Sequence, residues 1–292
     1  MKIGIDLGGS HIAVGIVTEE GKLLLKEEEN LNIIGNENIK ELIRDKIISL
    51  INSVLKQLQI PIFVIEEIGI GVPGIVKENI VEKCEKYKIY NWELAKIIEE
   101  HYQVPVKLQN DALCAAKAEY QYGNLQDTKK AVFLCFGTGI GGATILENKI
   151  FASEYGHMII EMAGRECHCG KKGCFETYSS MKAFKEGMIE VLKLNKNTTS
   201  EELLNILNKQ KENIEVNTYI DSYISTLLIG ISNIANIINP EKICIGGSFT
   251  YFEEILYKRL LEKSITMKYQ FQKPEIILAK LQNTAGIIGA TL

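Results

Sequence analysis

Residues 3–10 read Ile-Gly-Ile-Asp-Leu-Gly-Gly-Ser, and residues 132–142 read Val-Phe-Leu-Cys-Phe-Gly-Thr-Gly-Ile-Gly-Gly. In each stretch an apolar run predicts a buried strand, the glycines predict a tight turn, and the residues that follow predict a returning strand. The same glycine-turn hairpin therefore occurs twice, once near the start and once in the middle of the chain. Two such turns suit a nucleotide, because bare backbone N–H groups can approach its phosphates closely.

The second turn, Gly137 to Gly142, also satisfies the G-x-G-x-x-G pattern of dinucleotide-binding folds. That pattern requires a helix that begins at the third glycine. Residues 143–146 are followed by the Glu147-Asn148 turn, which predicts a strand and a hairpin instead. We therefore expect a hairpin here and reject the dinucleotide interpretation.

Composition describes an ordinary globular chain of 292 residues, 46% of them hydrophobic, with 33 basic and 37 acidic residues. This length favours two lobes with a sizeable core. No long block of one charge sign attracts nucleic acid or an anionic membrane, so neither is expected as a partner. No leader pattern and no run of about 18 apolar residues is evident, so a cytoplasmic location is expected. The odd count of seven cysteines then favours reduced thiols.

The order of predicted elements indicates a mixed α/β fold. Three meander strands open the chain, a long amphipathic helix follows, and strands and helices then alternate until the pattern restarts near Ala131. A helical region follows the cysteine-rich loop, and a small-residue helix closes the chain. The predicted organisation is a small N-terminal lobe (1–112), a large lobe with the cysteine loop (113–282) and a C-terminal helix that returns to the small lobe (283–292).

Three glycine turns are candidate nucleotide sites. In the first, Asp6 ends a strand and can face a metal-bound water while the turn cradles phosphate. The third, Gly246-Gly247, follows a late strand and can let the backbone lie against an adenosine. A plain hairpin or strand–helix turn explains each one equally well when it is taken alone. The residues expected to contact ATP and its Mg²⁺ are Asp6, Gly8, Gly9, Ser10, Gly137, Thr138, Gly139, Gly246 and Gly247.

Asn110 and Asp111 stand where a strand meets an alanine-rich helix. A helix N-cap is the simplest explanation. It is compatible with function, because a carboxylate at a strand end in an α/β lobe points to where ligands bind. Phosphoryl transfer to an alcohol needs positioning, a metal for the phosphate charge, and a base near the attacking hydroxyl. Asp111 is the candidate base, and Asn110 can both donate to and accept from a sugar hydroxyl.

The cysteine loop predicts a metal site. Three thiolates and one imidazole, from Cys167, Cys169, Cys174 and His157, make a closed tetrahedral set for a structural Zn²⁺. A disulfide does not suit a cytosolic chain, and a redox pair does not suit the C-x-C spacing. His168 could replace His157, but it lies between two ligating cysteines and is expected to point away. Glu154 and Glu176 bracket the loop and suit the hydroxyls of a polyol.

These residues resemble the ROK family, named for repressors, open reading frames and kinases. The resemblance runs through motifs in order over nearly the whole chain: 6–10, 71–74, 110–111, 137–142, 154–176, 246–247 and 285–290. It implies the two-lobed actin and hexokinase fold, ribonuclease H-like, with ATP and sugar meeting in an interlobe cleft. It also implies that Asp111 is the catalytic base and that the sugar is contacted by Gly74, Asn110, Glu154, His157 and Glu176.

One segment departs from the family pattern. Between Lys149 and Glu154 the chain has only Ile-Phe-Ala-Ser, where the family carries a longer glycine-rich stretch. The spacing from Glu154 to His157 is kept. We therefore expect the rim of the sugar pocket to differ while the chemistry stays the same.

The resemblance leaves more than one function open. A sugar-sensing repressor would need a DNA-reading module, and five residues precede Asp6. A non-catalytic sugar-binding protein would not need Asp6, Asp111 and both glycine turns. Among kinases, glucose phosphorylated at its 6-hydroxyl is the first choice, an N-acetylmannosamine or N-acetylglucosamine kinase the second, and a fructokinase the third. The expected partners are sugar and ATP, and a homodimer is left open.

Overall fold

The computed structural model describes residues 1–9, 11–31 and 38–292 of the chain. Its strands are β1 (Lys2–Leu7), β2 (His11–Val17), β3 (Leu23–Asn30), β4 (Glu67–Val72), β5 (Ile75–Lys77), β6 (Ile80–Cys84), β7 (Ile89–Trp92), β8 (Val106–Asn110), β9 (Lys130–Phe136), β10 (Ile140–Leu146), β11 (Lys149–Ala152), β12 (Lys242–Gly247) and β13 (Glu275–Leu278). Its helices are α1 (Ile39–Leu58), α2 (Leu94–Tyr102), α3 (Asp111–Tyr122), α4 (Glu176–Ser179), α5 (Met181–Leu192), α6 (Ser200–Lys209), α7 (Ile214–Ile238), α8 (Lys258–Ser264) and α9 (Ala285–Ala290). The mixed α/β class predicted from the sequence is confirmed.

The first compact unit comprises Met1–Asp127, Ile150–Ala152 and Lys280–Leu292. Its main sheet has the strand order β3-β2-β1-β4-β8. Strands β1, β4 and β8 run parallel, whereas β2 and β3 return antiparallel as the predicted meander. Because carboxyl ends of parallel strands share one edge, residues that end β1, β4 and β8 are brought to the same place.

Helix α1 covers the meander side of this sheet. Its apolar residues recur every three or four positions, as an amphipathic helix requires, and they are buried in the core of the unit. Among them Ile43, Ile47, Ile51 and Val54 have no exposed surface. Burying side chains of this size gains about 1.5–3 kcal/mol each before the entropy cost of ordering them.

A second, smaller sheet of order β5-β6-β7 is an element that the sequence analysis missed. Its first turn has Glu78 and Asn79 at φ 49° and 63°, as in a tight hairpin turn. The Asn79 side chain attaches this turn to β8, since it donates to the carbonyl of Val106 (2.7 Å) and accepts from the N–H of Leu108 (2.6 Å). The strands are too short and too polar for their alternation to be evident.

Helix α9 is seated directly on strands β1 and β4. A Cβ at Gly4 would lie 2.0 Å from the carbonyl oxygen of Ile287, and a Cβ at Gly69 would lie 1.8 Å from that of Ala290. On its other side, a Cβ at Gly289 would lie 1.6 Å from the carbonyl oxygen of Cys114 in α3. Side chains cannot be accommodated at these distances, so glycine is required at all three positions.

Glu119 in α3 is a fully buried carboxylate with two backbone partners. It accepts the N–H of Leu281 at 2.6 Å and that of Asn124 at 3.0 Å. A buried polar side chain is tolerated in a core when such hydrogen bonds replace those to water. The first compact unit includes all of α3, whereas the lobe boundary predicted at residue 112 lies inside that helix.

The second compact unit comprises Thr128–Lys149 and Ser153–Ala279. Four strands of the second five-stranded sheet lie in this unit, in the order β10-β9-β12-β13. Strands β9 and β10 form an antiparallel hairpin around the glycine turn, with Ile140 opposite Phe136. The expectation of a strand rather than a helix after Gly142 is thus correct, and the dinucleotide interpretation is excluded.

Helix α7 supports the segment that carries the cysteine loop. A Cβ at Gly230 would lie 2.3 Å from the ring of Phe175, so the helix has a notch that receives this fully buried side chain. Phe175 stands between Cys174 and Glu176, and its burial fixes the direction in which both neighbours leave the core. Within the described residues, no helix is both long and apolar enough to cross a membrane.

Candidate functional site

The carboxyl edge of the first sheet carries the predicted acidic residues. Asp6 on β1 is opposite Gly71 on β4, and Val72 is opposite Asn110 on β8. A Cβ at Gly71 would lie 3.4 Å from the Cα of Asp111, so the absent side chain leaves the space beside that residue open. The strand pairing thus brings Asp6, Asn110 and Asp111 to one edge.

Asn110 is the N-cap of α3, as predicted, and it also holds the next loop. Its Oδ1 accepts the N–H of Leu113 at 3.0 Å, and its Nδ2 donates to the carbonyl of Gly74 at 3.0 Å. Gly74 has φ 102°, and a Cβ there would lie 2.2 Å from the carbonyl oxygen of Lys83. Only glycine fits this position, and the Asn110 amide fixes where it lies.

Asp111 begins α3, and its Oδ1 accepts the N–H of Ala112 at 2.8 Å. A carboxylate at a helix N-terminus is stabilised by the unpaired N–H groups and the helix dipole. The hydrogen bond fixes the side chain, so Asp111 is oriented before any ligand binds.

Asp6 is enclosed by the closing helix. A Cβ at Gly286 would lie 2.4 Å from Asp6 Oδ2, so the helix backbone lies against the carboxylate. Burial raises the pKa of Asp6 to about 6, with Lys26 opposing the shift and Glu28 adding to it. Removal from water disfavours the charged form of an acid, which is the cause of the shift.

The turn after Asp6 has a partner that sequence reasoning missed. The Tyr87 hydroxyl donates to the carbonyl of Gly8, and the same turn is closed by the Gly8 N–H on the carbonyl of His11 (3.0 Å). Tyr87 lies in a lysine-rich stretch between two short strands, where nothing in the sequence marks it. Gly9 follows in the turn, and Ser10, a predicted phosphate contact, lies outside the described residues.

In the second unit, two predicted glycine turns lie at adjacent strand ends. Gly247 is opposite Phe136, the last residue before Gly137, and has φ 74° with no room for a Cβ against the Phe136 backbone. The Gly137 N–H donates to the carbonyl of Gly139 at 3.0 Å, which closes the turn around Thr138. Gly246 packs on the ring of Phe133. The turns at 137–139 and 246–247 therefore lie side by side at one edge of the sheet.

Four candidate metal ligands, His157, Cys167, Cys169 and Cys174, have donor atoms within 4.8 Å of one another. The Sγ atoms of Cys169 and Cys174 are 3.7 Å apart, and His157 Nδ1 lies 3.7 Å from Cys167 Sγ. Bonds of about 2.3 Å to sulfur and about 2.0 Å to nitrogen at tetrahedral angles place donor atoms roughly 3.5–3.8 Å apart. A disulfide would need about 2.05 Å between sulfurs. The donor set and its spacing fit a tetrahedral Zn²⁺.

The loop backbone forms this cluster with two left-handed glycines, Gly170 (φ 87°) and Gly173 (φ 80°). The Cys167 N–H donates to the carbonyl of Lys171 (2.8 Å), and the Gly170 N–H donates to that of Cys167 (3.0 Å). Burial raises the pKa of the Cys167 and Cys174 thiols. Thiolates at these positions therefore need a bound cation to be stable.

Two carboxylates adjoin the cluster. Glu176, which is buried, has Oε1 at 3.6 Å from His157 Nδ1, while Glu154 has Oε2 at 3.7 Å from His157 Nε2. Glu176 also supports the glycine turn, because its Oε2 lies 3.4 Å from the N–H of Ile140 and would lie 2.4 Å from a Cβ at Gly139. The second unit thus brings Glu154, His157 and Glu176 together.

His168 does not point away as expected. Its Nδ1 lies 3.2 Å from Glu176 Oε1, and its side chain is 58% exposed. The turn at Gly170 folds the loop back, so that the residue between two cysteines faces the carboxylate. His168 is 3.9 Å from Cys167 Sγ, and it makes a second group of potential ligands with His157 and Glu176.

The chain belongs to the ROK family, whose model matches residues 2–292. It is 29% identical to a xylose repressor of Caldicellulosiruptor bescii over 98% of this chain and 76% of that protein. It is also 29% identical to a glucokinase of Thermotoga maritima over 99% of this chain and 95% of that protein. The family contains both classes of protein, so membership by itself does not choose between them.

Solved structures of the family share the fold. A ROK family glucokinase from Streptomyces griseus, solved in complex with glucose and AMPPNP, matches with a TM-score of 0.83 and 24% identity over 99% of this chain and 97% of that one. A ROK hexokinase from Thermus thermophilus matches with a TM-score of 0.75 and 25% identity over 99% and 96%. The predicted actin and hexokinase-like fold is confirmed.

The burial of Asp6 is expected to lower the stability of the folded protein at neutral pH, although the position of this carboxyl suits a role in the site. Because folding raises its pKa from 3.8 to about 6, the charged form destabilises the folded protein as the pH rises through that interval. Asp6→Asn should therefore raise the free energy of unfolding at pH 7, by at most roughly 3 kcal/mol for a two-unit shift, and less at pH 4. Urea denaturation at both pH values measures this difference. Asp45→Asn, at an exposed carboxylate, should show no gain, and an equal gain at pH 4 and 7 would contradict the account.

Proposed function

We propose that the protein is an ATP-dependent hexose kinase that phosphorylates glucose at its 6-hydroxyl. The observation that carries the proposal is the placement of Asp6, Asn110 and Asp111 at the carboxyl ends of strands in the parallel set β1, β4 and β8. The likeness to the Thermotoga maritima glucokinase supports the kinase class. The Streptomyces griseus structure, which holds glucose and AMPPNP, supports ATP and a sugar as the two substrates.

In this proposal Asp111 is the general base. Its carboxylate, held by the Ala112 N–H, takes the proton from the sugar hydroxyl as that oxygen attacks the γ-phosphorus, and the bond from the γ-phosphorus to the β–γ bridging oxygen breaks to release ADP. A base that is already oriented adds no further ordering cost in the transition state. A negative charge at the N-terminus of a helix is favoured by the helix dipole, which suits a base at this position.

The phosphates are assigned to the glycine turns. Backbone N–H groups at Gly8 and Gly9 and at Gly137 and Gly139 can approach oxygens that side chains would keep away, and Ser10 and Thr138 are assigned to the same phosphates. Gly246 and Gly247 are assigned to the adenosine. Mg²⁺ bound to ATP would neutralise phosphate charge, with Asp6 facing its water shell.

The sugar is assigned to Gly74, Asn110, Glu154, His157 and Glu176. Each polar side chain in this set can form a hydrogen bond with a sugar hydroxyl. A sugar that lacks the matching hydroxyl would leave that side chain without a hydrogen bond, which costs binding free energy. The metal site orders the second half of the set, because His157 is a ligand through Nδ1 and Glu176 follows Cys174 by two residues. We assign the metal a structural role, since four protein ligands leave no open position.

A sugar-responsive repressor is the alternative, and the xylose repressors among the relatives are the observation that favours it. Such a protein needs sugar recognition but not a base beside the attacking hydroxyl. Among kinases, an N-acetylmannosamine or N-acetylglucosamine kinase is the second candidate, because the short segment 150–153 can leave room at the 2-position, and a fructokinase is the third.

The substrate assignment is tested by ADP release with ATP and five sugars: glucose, mannose, fructose, N-acetylmannosamine and N-acetylglucosamine. We expect the highest kcat/KM for glucose. A tenfold higher value for an N-acetylhexosamine, equal to about 1.4 kcal/mol of transition-state binding, would replace the glucose assignment and keep the kinase class. No ADP release with any sugar, together with sugar binding by calorimetry, would favour the repressor alternative.

The zinc assignment predicts one Zn²⁺ per chain by mass spectrometry of the native protein. Cys174→Ser should lose the metal, lower the melting temperature and raise KM for the sugar, because Glu176 loses its anchor. Cys244→Ser, at a fully buried cysteine of β12, is the matched control and should keep its zinc even if it is less stable. A folded, active wild-type protein without zinc would overturn the assignment.

A further inference from the structure

Three hydroxyl groups meet beside the turn that carries Glu154. The Thr144 hydroxyl on β10 lies 2.7 Å from that of Ser153 and 2.6 Å from that of Tyr155. Ser153 and Tyr155 are the two sequence neighbours of Glu154. Thr144 is buried, whereas the side chain of Glu154 is 63% exposed. One buried hydroxyl therefore holds both neighbours of an exposed carboxylate.

The backbone of this turn is already close to β10. The Ser153 N–H donates to the carbonyl of Gly142 at 2.8 Å, and a Cβ at Gly142 would lie 2.7 Å from the Tyr155 ring. A Cβ at Gly156 would lie 2.3 Å from the carbonyl oxygen of Ile140. These contacts set the distance between the turn and the strand. The hydroxyls add direction, because a hydrogen bond weakens steeply when its angle departs from linear.

We propose that Thr144 is a positioning residue for sugar recognition, which fixes the Glu154 carboxylate through the hydroxyls of Ser153 and Tyr155. The inference rests on the proposed function, in which Glu154 contacts sugar hydroxyls. The Ser153 N–H already holds the backbone of the turn beside β10. The hydroxyl cluster adds a side-chain restraint, and the same turn places Glu154 Oε2 at 3.7 Å from His157 Nε2.

Thr144→Val keeps the shape of the side chain and removes its hydroxyl. Ser153 and Tyr155 then lose the buried hydroxyl that restrains both of them, so the directions of these two side chains are less fixed. Glu154 lies between them and must move with them. Thr144→Ser keeps the hydroxyl and should retain the wild-type position.

The kinetic test uses the sugar with the highest kcat/KM for the wild type. We expect Thr144→Val to raise KM for that sugar about tenfold while kcat and KM for ATP change less than about twofold, and Thr144→Ser to stay near wild type.

Thr291→Val is the matched control, because it removes another buried threonine hydroxyl. That hydroxyl donates to the carbonyl of Ile288 (2.7 Å), and its loss should leave KM for the sugar unchanged. In a Glu154→Gln background, Thr144→Val should add nothing, since both changes act through one carboxylate. An additive effect or an unchanged KM would overturn the proposal.

A second measurement does not depend on catalysis. Hydrogen exchange of the peptide that spans 153–158 should be faster in Thr144→Val than in wild type, with equal zinc content, and unchanged in Thr291→Val. If no sugar is phosphorylated by the wild type, the proposed function fails, while the exchange result still decides whether Thr144 holds this turn. Unchanged exchange in Thr144→Val would overturn the positioning role.

Discussion

The parallel pairing of β1, β4 and β8 is the constraint on which the first unit depends. It places the ends of three strands at one edge, and the closing helix lies directly on β1 and β4. Gly4 and Gly69 make that approach possible, and Gly286 extends it to the Asp6 carboxylate. The same close packing that stabilises the layers also removes water from Asp6 and raises its pKa. Stability and site chemistry therefore have one structural origin here.

In the second unit the structure of the site depends on the cluster of four candidate metal ligands in the cysteine loop. The cysteine loop contains little apolar surface, and left-handed glycines give its backbone the turns that bring four donor atoms together. A metal bound there would supply folding free energy that the loop cannot obtain by burial. Phe175, received by the notch at Gly230, attaches the loop to the core from the other side. Glu176 directly follows both anchors, Cys174 and Phe175, which accounts for its burial.

The sequence predicts those features that follow from local pattern. The two glycine hairpins, the Asn110 cap and the clustering of four metal ligands are all found, because each depends on residues close in the chain or on a distinctive ligand set. Long-range contacts are not predictable in the same way. The Tyr87 hydroxyl donates to the carbonyl of Gly8, which is 79 residues away in the chain. Glu119 accepts the N–H of Leu281, which is 162 residues away. The strands at 75–92 are not predicted because they are short and polar. The predicted orientation of His168 is wrong because it depends on the turn that follows this residue.

The account depends most on Asp111, the carboxylate in the first turn of α3. The most direct measurement is the turnover of Asp111→Asn with ATP and the preferred hexose, beside its affinity for that hexose by calorimetry. The account predicts a loss of about 10²–10⁴-fold in kcat, as for a missing general base, with sugar affinity largely intact. Wild-type-like turnover in that variant would contradict it, because the helix cap is retained by Asn110 and only the base has been removed.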